Sequence, residues 1–285
     1  MRKERFVVDY QVIGTCNMHC NFCDGAPKKF IGQPTTIIKK GIDKLVEAGV
    51  NTIVFTGGEP LLRKDMAELI YYTYLQGIEA YLSTNAVLLF KYYGQFKDYI
   101  SCLGMPLDGS TPEMNKQMSR EGEQYGATTT ALRYFKSSRP LHQVKVGTVV
   151  SKINHQDLLS IGNHLFNNPD LRSPDIWRLY QFTPLGDGLH NRELHEITDA
   201  FFEDTWKNLQ KRFPTRLISP LSNADSDNSY IFINPVQEIQ ILTGDQYKPM
   251  GNLQKISSQE FSLLKERYIN VVDKGRTNRK WLDAK

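Results

Sequence analysis

The feature that most constrains this chain is a rhythm. Short runs of β-forming residues alternate with amphipathic helical stretches as far as about residue 213. The β-rich runs are 6–13, 51–56, 79–83, 100–107, 144–150 and 176–182. Helical patterns fill residues 66–76, 125–136, 156–166 and 198–213, and an earlier helix begins with Thr35 or Thr36 as its cap. In that first helix Ile38, Ile42, Leu45 and Val46 fall on one face. Strands alternating with helices of this length predict a parallel sheet with right-handed crossovers. Six such units are two short of a closed eight-stranded barrel, so the expected fold is α/β, a partial (β/α)6 TIM-like barrel over residues 1–213. From residue 214 the rhythm changes. Residues 229–242 alternate like a hairpin around Asn234 and Pro235, and 257–269 read as a helix capped by Ser257. Residues 214–285 are therefore expected as a carboxyl-terminal extension capping one end of the barrel, with a charged, mobile tail from 273.

In folds of this kind the chemistry sits at the carboxyl ends of the strands. The residues there are Cys16, Cys20 and Cys23 after the first strand, Gly57, Gly58, Glu59 and Pro60 after the second, Ser83 and Asn85 after the third, Asp108 after the fourth and Ser151 after the fifth.

The chain has four cysteines, and three of them lie within the eight residues CNMHCNFC. Clustered thiols in a chain without a disulfide framework point to metal or redox chemistry. Three thiolates at C-x3-C-x2-C spacing can wrap one side of an iron–sulfur cluster and leave one iron open to a ligand. The alternative is zinc, with His19 or a distant residue as fourth ligand, although zinc sites usually show paired C-x2-C units. His19 reads as a loop residue, and Cys102, inside a buried strand, as core.

Composition excludes other classes. Hydrophobic residues make up 40% and charged residues 23%, too balanced for a disordered or membrane-embedded chain. No stretch approaches the roughly 18–20 apolar residues of a membrane span. The start, MRKERFVVDY, lacks the apolar core of a signal peptide, so a cytoplasmic location is expected. The net charge of +4 and the dispersed aromatics give no sign of a nucleic-acid surface. Lys28, Lys29, Lys39, Lys40 and the basic residues of 276–280 read as solvated surface, with attraction of an anionic substrate as the alternative.

The C-x3-C-x-aromatic-C form, its position after the first strand and the sequence Thr56-Gly57-Gly58-Glu59-Pro60 after the second together resemble the radical S-adenosylmethionine (SAM) superfamily. The resemblance covers about 7–182. It implies a [4Fe-4S] cluster on Cys16, Cys20 and Cys23 and SAM as cosubstrate or cofactor. The Gly-Gly-Glu-Pro turn would hold the amino group of SAM through its backbone and the Glu59 carboxylate, its glycines allowing the ligand to come close. Ser83, Asn85 and Ser151 resemble SAM-contacting residues, Phe22 the aromatic near the adenine, and Asp108 a group orienting the adenosine or the substrate. One electron, from a donor such as flavodoxin or ferredoxin, would cleave SAM to a 5′-deoxyadenosyl radical that abstracts hydrogen from the substrate.

No cysteine follows Cys102, so a second cluster of the kind carried by many peptide-modifying relatives, and by the molybdenum-cofactor cyclase, cannot be built. Residues 144–154 (VKVGTVVSKIN), 177–181 (WRLYQ) and Arg120-Glu121-Gly122 are similar to viperin-like, nucleotide-dehydrating members, whereas DGAPKKF after the cysteines departs from them. That similarity implies a small-molecule substrate, anionic or of nucleotide type, held by Arg120, Lys145 and Arg178. The other readings are peptide modification and a non-catalytic iron–sulfur sensor. The segment 184–188 (PLGDG) reads as a turn. His190 and His195 read as solvated loop residues, with proton donation as the alternative.

Overall fold

The computed structural model describes residues 6–25, 30–227 and 229–264. In chain order its elements begin with β1 (Val7–Ile13), α1 (Thr35–Glu47), β2 (Thr52–Gly57), α2 (Met66–Leu75), β3 (Glu79–Ser83), α3 (Leu89–Phe96) and β4 (Cys102–Pro106). Next come α4 (Pro112–Gln117), α5 (Gln124–Ser138), β5 (Gln143–Val150), α6 (Leu158–Asn167), β6 (Ile176–Gln181), the short α7 (Asp187–His190) and α8 (Arg192–His195), and α9 (Asp199–Arg212). The chain continues through β7 (Ile218–Leu221), α10 (Asn223–Ser226), β8 (Ile231–Ile233), β9 (Glu238–Thr243) and β10 (Gln246–Asn252).

All ten strands form one open sheet, in the order β10-β9-β8-β1-β2-β3-β4-β5-β6-β7. The barrel is partial, as the rhythm predicted, but the parallel run is longer than six. β7 pairs parallel with β6, and β8 returns to pair parallel with β1. β7 escaped the sequence reading because it is a four-residue edge strand containing Pro220, with no alternation long enough to register. Residues of the expected extension thus add strands to this same sheet. The hairpin around Asn234 and Pro235 forms between β8 and β9, and a second hairpin joins β9 to β10. α3, α4 and the short helices after β6 also went unread.

Burial follows the two faces of each strand. Outward residues such as Val8, Tyr10, Ile53, Phe55, Leu82, Val146, Trp177 and Leu179 pack with helix residues into one core. Ile38, Ile42 and Leu45 of α1 are fully buried in it, as their spacing requires. The inward face is different: β5 alternates strictly between half-buried and buried residues, so its inner side opens onto a lumen.

Two end details depart from or extend the sequence reading. α1 is not capped by a threonine side chain; Pro34 holds the cap position, and the Thr35 hydroxyl donates instead to Asp65 at 2.5 Å. Ser257 does cap the last helix: its hydroxyl accepts from the Glu260 N–H, and the Glu260 carboxylate accepts from the Ser257 N–H. That helix continues to 264, and its expected course to 269, the tail from 273, Lys28, Lys29 and 276–280 lie outside the described residues. Among the described residues no helix is long and apolar enough to cross a membrane.

Candidate active site

The loop after β1 carries the three cysteines, and the turn after β2 is knitted to it. Gly58 N–H donates to the Ile13 carbonyl at 2.7 Å and Glu59 N–H to the Thr15 carbonyl at 2.9 Å. A Cβ on Gly58 would lie 2.2 Å from the Thr15 oxygen, and one on Gly57, at φ 141°, 2.1 Å from the Ile13 oxygen. The chain's own backbone is thus by itself enough to require glycine at both positions, in addition to the expected reason, close approach of a ligand. The loop sits on an apolar nest of Met18, Cys20, Phe22, Met118 and Phe182. PLGDG holds it from the far side: Asp187 N–H donates to the Cys23 carbonyl at 2.9 Å, and Gly186, at φ 53°, leaves no room there for a side chain.

All four cysteines are free thiols. Burial pushes Cys23 up to about 12 and raises Cys16 as well, even though backbone N–H groups of Gly25 and Met18 donate to their sulfurs at 3.4 Å. Such thiols become thiolates at neutral pH only when a bound cation offsets the burial. Among the described residues no three His, Cys, Asp or Glu side chains converge on a point as ligands of one ion would, which is the arrangement a zinc site would show. A cubane asks for something else, since each thiolate binds its own iron at a separate corner. The donor set fits that group: three soft ligands, no competing disulfide, an apolar surround. His19 is an exposed loop residue and Cys102 is buried in β4, as the sequence suggested.

Glu59, 1% exposed, turns its carboxylate inward. Oε1 accepts from Leu61 N–H at 2.9 Å and from the Thr84 hydroxyl at 2.7 Å, and Oε2 accepts from Asn85 N–H at 2.7 Å. Burial raises its pKa, and these three donors work against that. Asn85 in turn donates its side-chain amide to Asn17 Oδ1 at 2.7 Å, so the loop after β3 is tied both to the turn after β2 and to the cysteine loop. Pro60 is buried at the start of a single 3-10 turn. Ser83 is half-buried on the lumen side, beside Gly104 of β4, and its hydroxyl has no hydrogen-bond partner among the described residues.

Asp108, with its side chain fully buried, accepts from Val149 N–H at 2.7 Å through Oδ1 and from Arg120 Nε at 2.6 Å through Oδ2. Burial opposes the Arg120 charge, and Asp108 with the nearby cysteine sulfurs more than restores it. Arg120 makes its contacts here, at the cysteine loop, and not with Lys145 and Arg178 where the sequence grouped it. Ser151 is also fully buried, and its hydroxyl lies 2.9 Å from His195 Nδ1. His195 is buried too, contrary to the solvated loop position expected. Its Nε2 lies 2.9 Å from Asn21 Oδ1, its ring packs on Phe182 and Phe22, and burial lowers its pKa.

Lys145 and Arg178 share the lumen. Lys145 lies over Gly104 and donates to the Tyr180 hydroxyl at 3.3 Å. Burial works against its charge, and Tyr180 and Cys102 more than offset this, so its pKa is raised. Arg178, on the adjoining strand, donates to the Ser219 hydroxyl at 2.5 Å and the Tyr230 hydroxyl at 3.1 Å, with its guanidinium 5.8 Å from the Tyr180 ring centre. Beyond it Tyr230 stacks on Phe232 at 5.9 Å. Two cations and a wall of aromatic rings thus face the lumen on β5, β6 and β8.

A family model described as the radical SAM superfamily matches residues 10–164, more than half of the chain. The chain belongs to the radical SAM superfamily. Members use a [4Fe-4S] cluster and SAM, and this radical SAM protein is an enzyme of that kind. It is 25% identical over 286 residues to an S-adenosylmethionine-dependent nucleotide dehydratase of Flammeovirga pacifica, covering 94% of this chain and 93% of the relative. It is 27% identical over 247 residues to a protein of the same description from Lacinutrix mariniflava, spanning 80% of this chain and about half (48%) of that one. A GTP 3′,8-cyclase of Clostridium botulinum is 30% identical over 201 residues, 65% of this chain and 58% of its own length. Among solved structures, Streptococcus suis SuiB bound to the precursor peptide SuiA superposes with a TM-score of 0.71 at 13% identity, covering 96% of this chain and 67% of that one. A histidine-tagged anSMEcpe with bound AdoMet gives 0.67 at 15%, covering 95% and 82%. At such identities the likeness concerns the fold.

Sequence reasoning missed several members of this radical SAM site. Thr84 sits between the two residues named from STN and reaches Glu59 with its side chain, where Asn85 does so with its backbone N–H. Asn17 and Asn21 lie inside the cysteine motif itself, among the cysteines that drew the reading. Asn154, which donates to the Asp108 carbonyl at 3.0 Å, and Tyr180 lie within the quoted segments 144–154 and 177–181 but were not singled out, and Tyr230 beside Arg178 gave no local signal.

Proposed function

We propose that this radical SAM enzyme acts on a nucleotide, with Cys16, Cys20 and Cys23 carrying the cluster. When bound, the cluster supplies the electron that splits SAM into methionine and a 5′-deoxyadenosyl radical. The residues supply placement. The backbone of Gly57, Gly58, Glu59 and Pro60 forms one wall of the SAM site, shaped from behind by the Glu59 carboxylate and Asn85. Ser83 offers a hydroxyl from the lumen side. Phe22, Asp108 and Ser151 form the floor, held by Arg120 and His195. Lys145 and Arg178 take the anionic part of the substrate, and Tyr180, Tyr230 and Phe232 its flat base. An external one-electron protein such as ferredoxin or flavodoxin supplies the reductant.

The observation that carries this reading is the pairing of two basic side chains with stacked aromatic rings inside the barrel, on a chain matched nearly end to end by a nucleotide dehydratase. A phosphorylated nucleotide would find a partner for each of its two chemistries in such a lumen. The test is anaerobic turnover with dithionite and SAM, with 5′-deoxyadenosine measured by mass spectrometry and Cys20→Ala as control. Nucleoside triphosphates should increase 5′-deoxyadenosine release at least about tenfold over SAM alone, the equivalent of about 1.4 kcal/mol. Equal release with and without every nucleotide would remove the nucleotide and leave the SAM chemistry standing.

A further inference from the structure

The Asp108–Arg120 pair has no role in the assignments above beyond holding the floor, yet its geometry is directed. Asp108 is fixed from four sides: Val149 N–H and Arg120 Nε on its carboxylate, Asn115 Oδ1 on its own N–H at 3.0 Å, and Asn154 on its carbonyl. The guanidinium it holds is planar, so the Nε bond to Asp108 fixes where the remaining N–H groups point. Nη1 points at Cys20 Sγ, 3.5 Å away, and the guanidinium carbon lies 4.9 Å from the ring centre of Phe22, a residue between Cys20 and Cys23. Arg120 N–H is also bonded to the Asn115 carbonyl at 3.0 Å, so the backbone carrying the side chain is fixed as well.

We propose that Arg120, aimed by Asp108, sets the reduction potential of the cluster through Cys20. This rests on the reading that the three cysteines hold the cluster. Adding one electron to a cluster makes it more negative, with no bond broken and no proton moved. An N–H donor and a positive charge at a ligating sulfur favour that reduced form. Arg120 therefore makes the cluster easier to reduce by a one-electron protein donor or by dithionite. A partner of this kind matters where the electron must be placed on a cluster that neutral surroundings would leave hard to reduce.

The experiment is an anaerobic redox titration of the reconstituted full chain without SAM, followed by electron paramagnetic resonance, with iron and sulfide measured on each sample. Arg120→Met should lower the midpoint potential by at least the roughly 59 mV that corresponds to a tenfold change in a one-electron equilibrium. Arg120→Lys, which keeps the charge but cannot span Asp108 and Cys20 together, should fall between it and the wild type. Because Arg120→Met leaves Asp108 buried without its counter-ion, the double variant Asp108→Asn/Arg120→Met provides a neutral pocket that still accepts from Val149 N–H, and its potential should also drop. Arg192→Gln, which removes an exposed cation paired with Glu196, should leave the potential where it is. Loaded variants whose potentials match the wild type, even with SAM affinity reduced, overturn the inference alone. A wild-type chain that takes up no iron and sulfide overturns the reading beneath it.

Discussion

Glu59 offers the sharpest test of how the site is built. In Glu59→Gln one carboxylate oxygen becomes an amide nitrogen, and the three donors around it cannot all be met. If the remaining oxygen faces Leu61 N–H and Thr84, the new amide confronts Asn85 N–H; turned over, it confronts Leu61 N–H. Either way one buried backbone N–H loses its acceptor, which costs about 1–3 kcal/mol, and the surviving bonds lose their charge assistance. Against this, the neutral amide escapes the burial penalty that raises the Glu59 pKa. The balance is a loss of about 2 kcal/mol, a sizeable part of the roughly 5–15 kcal/mol of a typical domain. In a chain of this size it corresponds to a drop in Tm of about 4–8 °C.

The assay pairs thermal unfolding of the anaerobically loaded protein with SAM affinity by equilibrium dialysis. A carboxylate that acts from behind the turn should lower both together, with affinity reduced only about tenfold, the equivalent of about 1.4 kcal/mol. Glu59→Ala, which strands all three donors, should do more of both. A Glu59→Gln protein that unfolds like the wild type but binds SAM about a hundredfold more weakly would refute the reasoning, because it would mean that the carboxylate faces the ligand.

Three further outcomes follow from the same geometry. Gly58→Ala must displace the Thr15 carbonyl, so it should destabilise the fold by about 1–3 kcal/mol in denaturant titrations and weaken SAM binding with it. Lys145→Met and Arg178→Met should each raise the Kd of a nucleoside triphosphate about tenfold to a hundredfold, the worth of one charge-assisted hydrogen bond, while the SAM Kd measured without nucleotide stays put. His142 is buried against the Tyr93 hydroxyl, and burial lowers its pKa, so the folded chain takes up the proton at a lower pH than the unfolded chain, which does so at about pH 6.5. The stability it contributes is therefore complete above that pH and is lost as pH falls below it. Denaturant midpoints of the wild type should drop more than those of His142→Gln between about pH 7.5 and 5.5.

What could be read from the sequence was whatever depends on local spacing. The strand–helix rhythm gave the partial barrel because inward and outward faces repeat at fixed periods. The cysteine motif and the turn from Gly57 to Pro60 stood out because they are short and contiguous. What could not be read was set by partners far apart in the chain. β8 pairs with β1 from the other end of the chain, and nothing in three residues of alternating Ile and Phe says which edge they will join. Arg120 was grouped with Lys145 and Arg178 through the similarity to viperin-like members; its partner Asp108, twelve positions earlier, instead holds it at the cysteine loop. His195 looked solvated because single histidines in loops usually are, yet Phe22 and Phe182 pack on its ring and Ser151 and Asn21 meet its two nitrogens.

Those long-range ties share one target. The cysteine loop is bonded to the turn after β2 through the Thr15 carbonyl and to the loop after β3 through Asn17. Beyond α4 it meets Arg120 at Cys20, and after β6 the PLGDG turn at the Cys23 carbonyl. His195 reaches it through Asn21 and is joined in turn to the end of β5 through Ser151. Each strand-end loop that the sequence marked as chemical thus acts on the same segment, 14–25. A loop with little regular structure of its own can hold three sulfurs in a fixed arrangement only if its surroundings restrain it, and here those restraints come from the ends of β2, β3, β4, β5 and β6. Several of the polar residues marked along the barrel rim therefore also form a frame around the cysteines. It follows that substitutions as distant in sequence as Ser151 and Gly186 should disturb the same centre.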